Sequence, residues 1–328
     1  MQPKLKDVAK LAGVSVATVS RVINDRGYLS SGTKEKVYQA MRQLNYSPNS
    51  AARALWGKTF KLIGLIFASV ENPLIAEAVQ KIENQLFEGG YKAIICNSLD
   101  NPAKEQQYLK MLMANQVDGI ITGSHNEGLK EYKMSGLPIV SYDRYFPSPI
   151  PTVSCDNAAG GKLAANTLMD KGSEKLMLIS GSLEKIPRNA DRVAGFNQAV
   201  EAVGQKSTTV RLRFNDTPGI KRAMIRQQLS AYQPDGVFCT DDQTALLCLQ
   251  EAKSLGMKVP DDLQVIGFDG SQYVQQYHPE LSTIVQPIDD IVDLLVRILF
   301  NRLEQNDDQL LDRYVLPVSL LQRGSLRN

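Results

Sequence analysis

Asp7-Val8-Ala9-Lys10-Leu11-Ala12-Gly13-Val14-Ser15-Val16-Ala17-Thr18-Val19-Ser20-Arg21-Val22-Ile23-Asn24 is the stretch on which the reading of the chain turns. Leu5, Val8, Ala9 and Ala12 recur at helical spacing. Gly13 supplies a break where the backbone can take a positive φ, after which Val14, Val19, Val22 and Ile23 resume the period. The pattern predicts two short helices about a tight turn. Ser15 is placed to cap the second by accepting from the backbone N–H of Thr18, which leaves Val16, Ala17, Thr18, Ser20 and Arg21 at its exposed N-terminal end. From there side chains reach a DNA major groove. A third helix is predicted from Ser30-Ser31, with Val37, Ala40, Met41 and Leu44 inward and an end near Asn45-Tyr46. Together the three helices close a miniature core.

Charge agrees with that placement. The net charge of +2 over 328 residues divides unevenly at Lys61: residues 1–61 hold eleven Lys and Arg against three Asp and Glu, a net +8, and the remainder holds 26 against 32, a net −6. Nearly all attraction for a polyanion is in the head.

From Lys61 onward short apolar runs alternate with amphipathic helical stretches. Strand signals fall at Leu62–Phe67, Ala93–Cys96, Gly119–Ile121, Pro138–Val140, Leu176–Ile179, Gly236–Cys239 and Val265–Phe268. Such alternation predicts parallel sheets covered by helices, and the series divides into two similar halves near residues 156–160. Ligands bind at the carboxyl ends of strands in such sheets. Polar residues fall there: Ser69 and Asn72, Ser124, Asp143 and Arg144, Asp241 and Asp242, and Asp269. A two-lobed cleft so lined suits a hydroxyl-rich small molecule, because carboxylates accept from sugar hydroxyls and arginine donates to them. Each residue also has a plainer reading. Asp241 and Asp242 can cap a helix, Arg192 can pair with Asp191, and Asp269 can open a turn before Gly270.

The four cysteines are widely spaced, and three sit in apolar, strand-like runs, so neither a disulfide framework nor a zinc site is expected. Two histidines make a metal or triad site a poor reading, and neither a GxxxxGK phosphate loop nor a GxSxG motif occurs. A glycosidase built on paired carboxylates would leave the basic head unexplained. No cofactor is expected. The N-terminus lacks the apolar core of a secretory signal, and no apolar run approaches about 18 residues, so a soluble, cytoplasmic protein without a membrane partner is expected.

The residues quoted first, Asp7 to Ser15 with Thr18 to Asn24, resemble the head of the LacI/GalR family of transcriptional regulators. The resemblance implies that positions 16, 17 and 21 read bases. Val16 and Ala17 can meet thymine methyls, and Arg21 can bond guanine O6 and N7 together. Thr18, Ser20, Asn24 and Tyr46 suit phosphate contacts, which fix register. Lys4 departs from the family's usual Thr or Ser cap. After Pro48, Asn49-Ser50-Ala51-Ala52-Arg53-Ala54-Leu55 resembles the family's hinge helix, too short to be stable alone. Its members Asn49, Ala52 and Arg53 would face DNA, with Leu55 wedged into the minor groove. A passive linker is the other reading.

The remainder resembles the family's type I periplasmic-binding-protein-like effector domain, through Asp191-Arg192-Val193-Ala194-Gly195-Phe196, Thr240-Asp241-Asp242-Gln243-Thr244-Ala245 and Val265-Ile266-Gly267-Phe268-Asp269-Gly270. This implies effector contacts from Asp143, Arg192, Asp241 and Asp269, with Asp241 standing where the family often has Asn. The expected organisation is a helix-turn-helix domain at 1–48, a hinge helix and linker at 49–61, and a two-lobed α/β sugar-binding and dimerisation domain at 62–328. Within the family the body is most similar to Gram-positive sucrose- and fructose-operon repressors, through residues 90–98 and 115–121. The implied protein is not an enzyme but a homodimeric repressor on an inverted-repeat operator in double-stranded DNA, controlled by a sugar or sugar phosphate between the lobes. A carbon-catabolite regulator with a phosphoprotein co-repressor and a sugar-binding transport protein are the alternatives.

Overall fold

The computed structural model describes residues 3–328 apart from 24–26, 47–58, 115–116, 125, 127, 147–149, 182–186, 214–215 and 308–309. The chain forms two compact units, residues 1–61 and 62–328.

In the first unit, α1 (Leu5–Ala12), α2 (Val16–Ile23) and α3 (Ser31–Gln43) follow from local signals. The side chain of Lys4 cannot accept a hydrogen bond, so the start of α1 is closed from the other side: Asp7 Oδ2 accepts the Lys4 N–H at 2.8 Å. Gly13 ends α1 with φ +66° and its N–H returns to Ala9 O, a conformation that costs a residue without Cβ nothing. Ser15 Oγ accepts the Thr18 N–H at 3.1 Å, and Ser30 Oγ accepts that of Thr33 at 3.3 Å. Val8, Ala9, Ala12, Val19, Val22, Val37 and Ala40 are buried together as the core of this unit.

The second unit runs β1 (Leu62–Phe67), α4 (Pro73–Glu88), β2 (Lys92–Asn97), α5 (Pro102–Ala114), β3 (Gly119–Gly123), α6 (Lys130–Met134), β4 (Ile139–Tyr142) and β5 (Thr152–Cys155). Then follow α7 (Asn157–Asp170), β6 (Leu176–Gly181), α8 (Pro187–Ala202), β7 (Ser207–Leu212), α9 (Pro218–Tyr232), β8 (Gly236–Cys239), α10 (Asp242–Ser254), β9 (Gln264–Asp269), α11 (Gln272–Tyr277) and β10 (Ser282–Val285). The chain closes with α12 (Ile288–Leu303), β11 (Arg313–Leu316) and β12 (Ser319–Leu321). One sheet has the order β11-β5-β4-β3-β1-β2 and is parallel throughout. The other has the order β12-β10-β9-β8-β6-β7, with β12 antiparallel to β10. Central strands such as β3, β4, β8 and β9 are buried along their whole length, as expected where helices cover both faces.

The division into two consecutive halves is only partly right. The chain crosses between lobes three times: at 155–157, at 285–288 and at 316–319. Helix α12 packs on α4, β3, β4 and β5, so a segment from the C-terminal third completes the first lobe. Its apolar stripe, Ile291, Val292, Leu295 and Leu299, is buried there. Helices α7 and α8 cover the second sheet and meet at unusually close range. A Cβ on Gly161 would lie 2.0 Å from Arg192 O, and one on Gly195 would lie 2.0 Å from Ala158 O. All four cysteines are buried and free. Among the described residues no helix is long and apolar enough to cross a membrane.

Candidate functional site

Two sites emerge, one on each unit. On the head, burial of Val19 and Val22 turns the opposite face of α2 outward. Val16, Ala17 and Arg21 are exposed, and Thr18 and Ser20 are half-buried beside them. The Arg21 guanidinium lies over Gly27, where a Cβ would come within 2.5 Å of Nη2. Tyr46 is half-buried and packs on the head core after α3. Asn24, Asn49, Ala52, Arg53 and Leu55 lie outside the described residues.

On the second unit a cleft of about 710 Å³ opens between the lobes at the carboxyl ends of the strands. Ser69, Asn72, Asp143, Arg144, Arg192, Asp241 and Asp269 line it. Ser124 does not. Its hydroxyl donates to Glu105, a fully buried carboxylate that also receives Asn126 Nδ2 at 2.7 Å and the Tyr132 hydroxyl at 2.6 Å. A buried carboxyl group needs hydrogen-bond partners, and this demand turns Ser124 into the first lobe and away from the cleft.

The centre of the cleft is Arg192, from α8. Its guanidinium stacks 3.6 Å from the Phe268 ring centroid and is nearly fully buried. Nε donates to Asn157 Oδ1 at 2.7 Å, Nη1 donates to Thr240 O at 2.6 Å, and the same Nη1 stands 3.5 Å from Asp269 Oδ1. Those partners, not Asp191, take its N–H groups. Burial works against the Arg192 charge, but Asp269, Cys155 and Asp143 outweigh it and hold the guanidinium protonated.

Asp269 ends β9 with φ +123°, a strained value for a residue with a side chain. Its Oδ1 accepts from Gln286 Nε2 at 2.9 Å and its Oδ2 from Asn72 Nδ2 at 3.2 Å. Burial lifts its pKa to about 6, against the pull of Arg192; Asp241 adds to the rise, and the bonds from Asn72 and Gln286 oppose it. Asn72 belongs to the first lobe, where its Oδ1 also caps α4 by accepting from Leu74 N at 2.8 Å. One amide therefore ties the lobes together.

Asp143, at φ +54°, accepts from Asn157 Nδ2 at 2.9 Å, and Arg144 Nη1 donates to its carbonyl at 2.7 Å. Asp241 has both roles left open by its sequence position. It lines the cleft, and it caps α10 by accepting from Thr244 N at 2.7 Å and from the Thr244 hydroxyl at 2.9 Å.

Asn157, Gln286 and Tyr142 were not singled out from the sequence. Asn157 bridges Asp143 to Arg192, and the Tyr142 hydroxyl donates to Gln286 Oε1 at 3.3 Å. Both bridging amides sit at lobe crossings, and the strand before Gln286 carries no alternation strong enough to mark it. A fixed cation flanked by carboxylates and amides, in a crevice with walls from both lobes, can donate to and accept from several hydroxyls of one small ligand.

Comparison with known proteins matches both units of the chain. Residues 4–49 match the family model described as bacterial regulatory proteins, lacI family, and residues 165–326 match that of the periplasmic binding protein-like domain. A sucrose operon repressor of Pediococcus pentosaceus is 48% identical over 98% of this chain and 98% of its own length. One from Streptococcus mutans is 44% identical over 99% of this chain and 100% of its own. Among solved structures, the lac repressor dimer bound to operator and the anti-inducer ONPF superposes with a TM-score of 0.86, at 25% identity over the full length of both chains.

Proposed function

The chain belongs to the lacI family of bacterial regulatory proteins, and from that membership we propose that it represses a sucrose-utilisation operon under the control of a sugar or sugar phosphate held between its lobes. Relatives named sucrose operon repressors match it from end to end, which supports the choice of operon. The observation that carries the control mechanism is the bond from Asn72, on one lobe, to Asp269, on the other, beside the buried Arg192. A ligand whose hydroxyls engage Asp143, Arg192, Asp241 and Asp269 competes for that junction. It thereby binds one interlobe geometry better than another, and only this differential affinity can shift the equilibrium. Ser69, Asn72 and Arg144 border the same ligand.

The DNA reading rests on the outward face of α2. Two heads of a homodimer occupy an inverted repeat in the cytoplasm. Arg21 reads guanine, while Val16 and Ala17 lie against base edges. Thr18, Ser20, Asn24 and Tyr46 hold phosphates, and Asn49, Ala52, Arg53 and Leu55 contact the operator centre.

A single assay tests both halves. Full-length protein is titrated onto an inverted-repeat duplex selected from a random library, with fructose, sucrose or their 6-phosphates present. One of these sugars should change the apparent Kd by about tenfold or more, equal to a coupling of roughly 1.4 kcal/mol. Arg21→Ala should erase the preference for the selected duplex while leaving salt-sensitive, non-specific binding. Equal loss on every sequence would end the role of Arg21 as a base reader, and indifference to all four sugars would end the effector reading.

A further inference from the structure

Asp242, at a strand end that the sequence marks as polar, is a buried carboxyl group that does not itself line the cleft. It is 2% exposed, at the first position of α10, immediately after the cleft-lining Asp241. Its Oδ2 accepts the Gly270 N–H at 2.7 Å and its Oδ1 accepts the Thr283 hydroxyl at 2.6 Å. The space it occupies exists because residue 267 is glycine: a Cβ there would stand 2.2 Å from Asp242 Oδ1. Three elements thus converge on one carboxyl group: α10 supplies it, β10 supplies the hydroxyl, and the end of β9 supplies both the vacant Cβ position and the peptide N–H.

That N–H belongs to the peptide joining Asp269 to Gly270. Asp269 sits at φ +123° and Gly270 at φ +64°, so the turn that aims the Asp269 side chain is one that the backbone does not choose unaided. A strained conformation persists only where neighbouring groups over-determine it. Gln286 and Asn72 grip the Asp269 side chain; the backbone of the turn is held at its carbonyls by the Gln286 N–H, 3.1 Å from Asp269 O, and by Gln275 Nε2, 2.7 Å from Gly270 O, and at its Gly270 N–H by Asp242. The position is costly in isolation. Burial, followed by the nearby Asp269 charge, pushes the Asp242 carboxyl well above the ordinary carboxylate range, opposed by its bonds to Thr283 and Gly270. A buried group retained at such cost is one whose hydrogen bonds specify a geometry.

We propose that Asp242 is a positioning residue for the effector carboxylate: through the Gly270 N–H it locks the Asp269 turn, and through the backbone it locks that turn to the capped start of α10. Asp241 and Asp269, the two acidic ends of the second lobe's cleft wall, then move as one rigid pair. Arg192 joins the same unit by donating to Thr240 O, one residue before Asp241. The inference rests on the reading of Asp269 as a ligand to the sugar.

The test is calorimetric titration of the full-length protein with fructose, sucrose and their 6-phosphates, followed by use of whichever binds most tightly. Asp242→Leu removes both acceptors at similar volume, leaving a buried N–H unsatisfied, and should weaken that sugar about tenfold or more. Asp242→Asn keeps an oxygen for the Gly270 N–H, and its amide can donate to Thr283 Oγ, so it should stay within about threefold of the unmodified chain. Thr283→Val, a milder change that leaves the Gly270 bond in place, should likewise stay within about threefold and guards against a leucine variant that fails to fold. A general loss of structure would weaken all three alike; affinity kept by Asp242→Asn and Thr283→Val but lost by Asp242→Leu separates positioning from mere stability. Undiminished affinity in a folded Asp242→Leu protein, or equal weakening by leucine and asparagine, would overturn the inference. Asp269→Ala keeps the two readings apart: if it binds as the unmodified chain does, or if none of the four sugars binds the unmodified chain, the effector reading falls and takes this one with it.

Discussion

Asp269 is buried, strained and clasped by Arg192, Gln286 and Asn72, so its ionisation state is tied to the stability of the body as well as to its ligand. With its pKa lifted to about 6, against about 3.9 for a free aspartate, ionising it costs the folded chain on the order of 3 kcal/mol. The cost is absent below the unfolded value, grows as pH rises past it, and is complete above about 6. Asp269→Asn removes the titration. Urea midpoints of the two proteins should therefore diverge between pH 4 and 7, with the unmodified chain losing stability relative to the variant as pH rises. Parallel midpoint curves would show that the carboxyl titrates normally. If Asp269 holds the proposed sugar, whose hydroxyls donate to the ionised form, sugar affinity should fall as pH drops through about 6. At this scale the sequence was informative about which residues carry charge near a strand end, and uninformative about where each one points. Ser124 occupies the same kind of position as Asp143 and yet serves Glu105, because a buried carboxyl group draws in the hydrogen-bond donors within reach.

Helices α7 and α8 cross with Gly161 and Gly195 against each other's backbone, and the Arg192–Asn157 hydrogen bond spans that same crossing. The packing that holds the lobe together therefore also sets the height of the guanidinium over Phe268. Gly161→Ala inserts a methyl group 2.0 Å from Arg192 O and must push the helices apart, which should cost about 1–3 kcal/mol of stability and weaken sugar binding at once. Chemical denaturation and calorimetry on the variant check both; a stable variant with intact affinity would show that the crossing has slack. The helices themselves were legible, since caps such as Ser15, Ser30 and Asp241 and the apolar stripes are local signals. β10, β11 and β12, four residues or fewer each, were not. Strands this short acquire their identity from the neighbours that pair with them, and those neighbours lie far away in sequence.

The whole molecule separates a basic head of net +8 from an acidic body of net −6, and the two form separate compact units. If polyanion affinity resides in the head, residues 62–328 produced alone should bind the sugar as tightly as the full chain and show no salt-dependent DNA binding. Calorimetry and electrophoretic mobility shift would measure the two; DNA binding by the isolated body would relocate the interface. Sequence by itself determined the head, the alternation of strand and helix, the charge division and most of the residues around the cleft, because each of these is written in spacings of a few residues. Tertiary structure alone decided that α12 and β11 return to the first lobe, that Asn157 bridges Asp143 to Arg192, that Gln286 links Tyr142 to Asp269, and that Asn72 reaches across to Asp269. These pairings join positions tens to about two hundred residues apart. They are selected by the burial of apolar faces and by the need of buried polar groups for partners, and neither leaves a periodic trace along the chain.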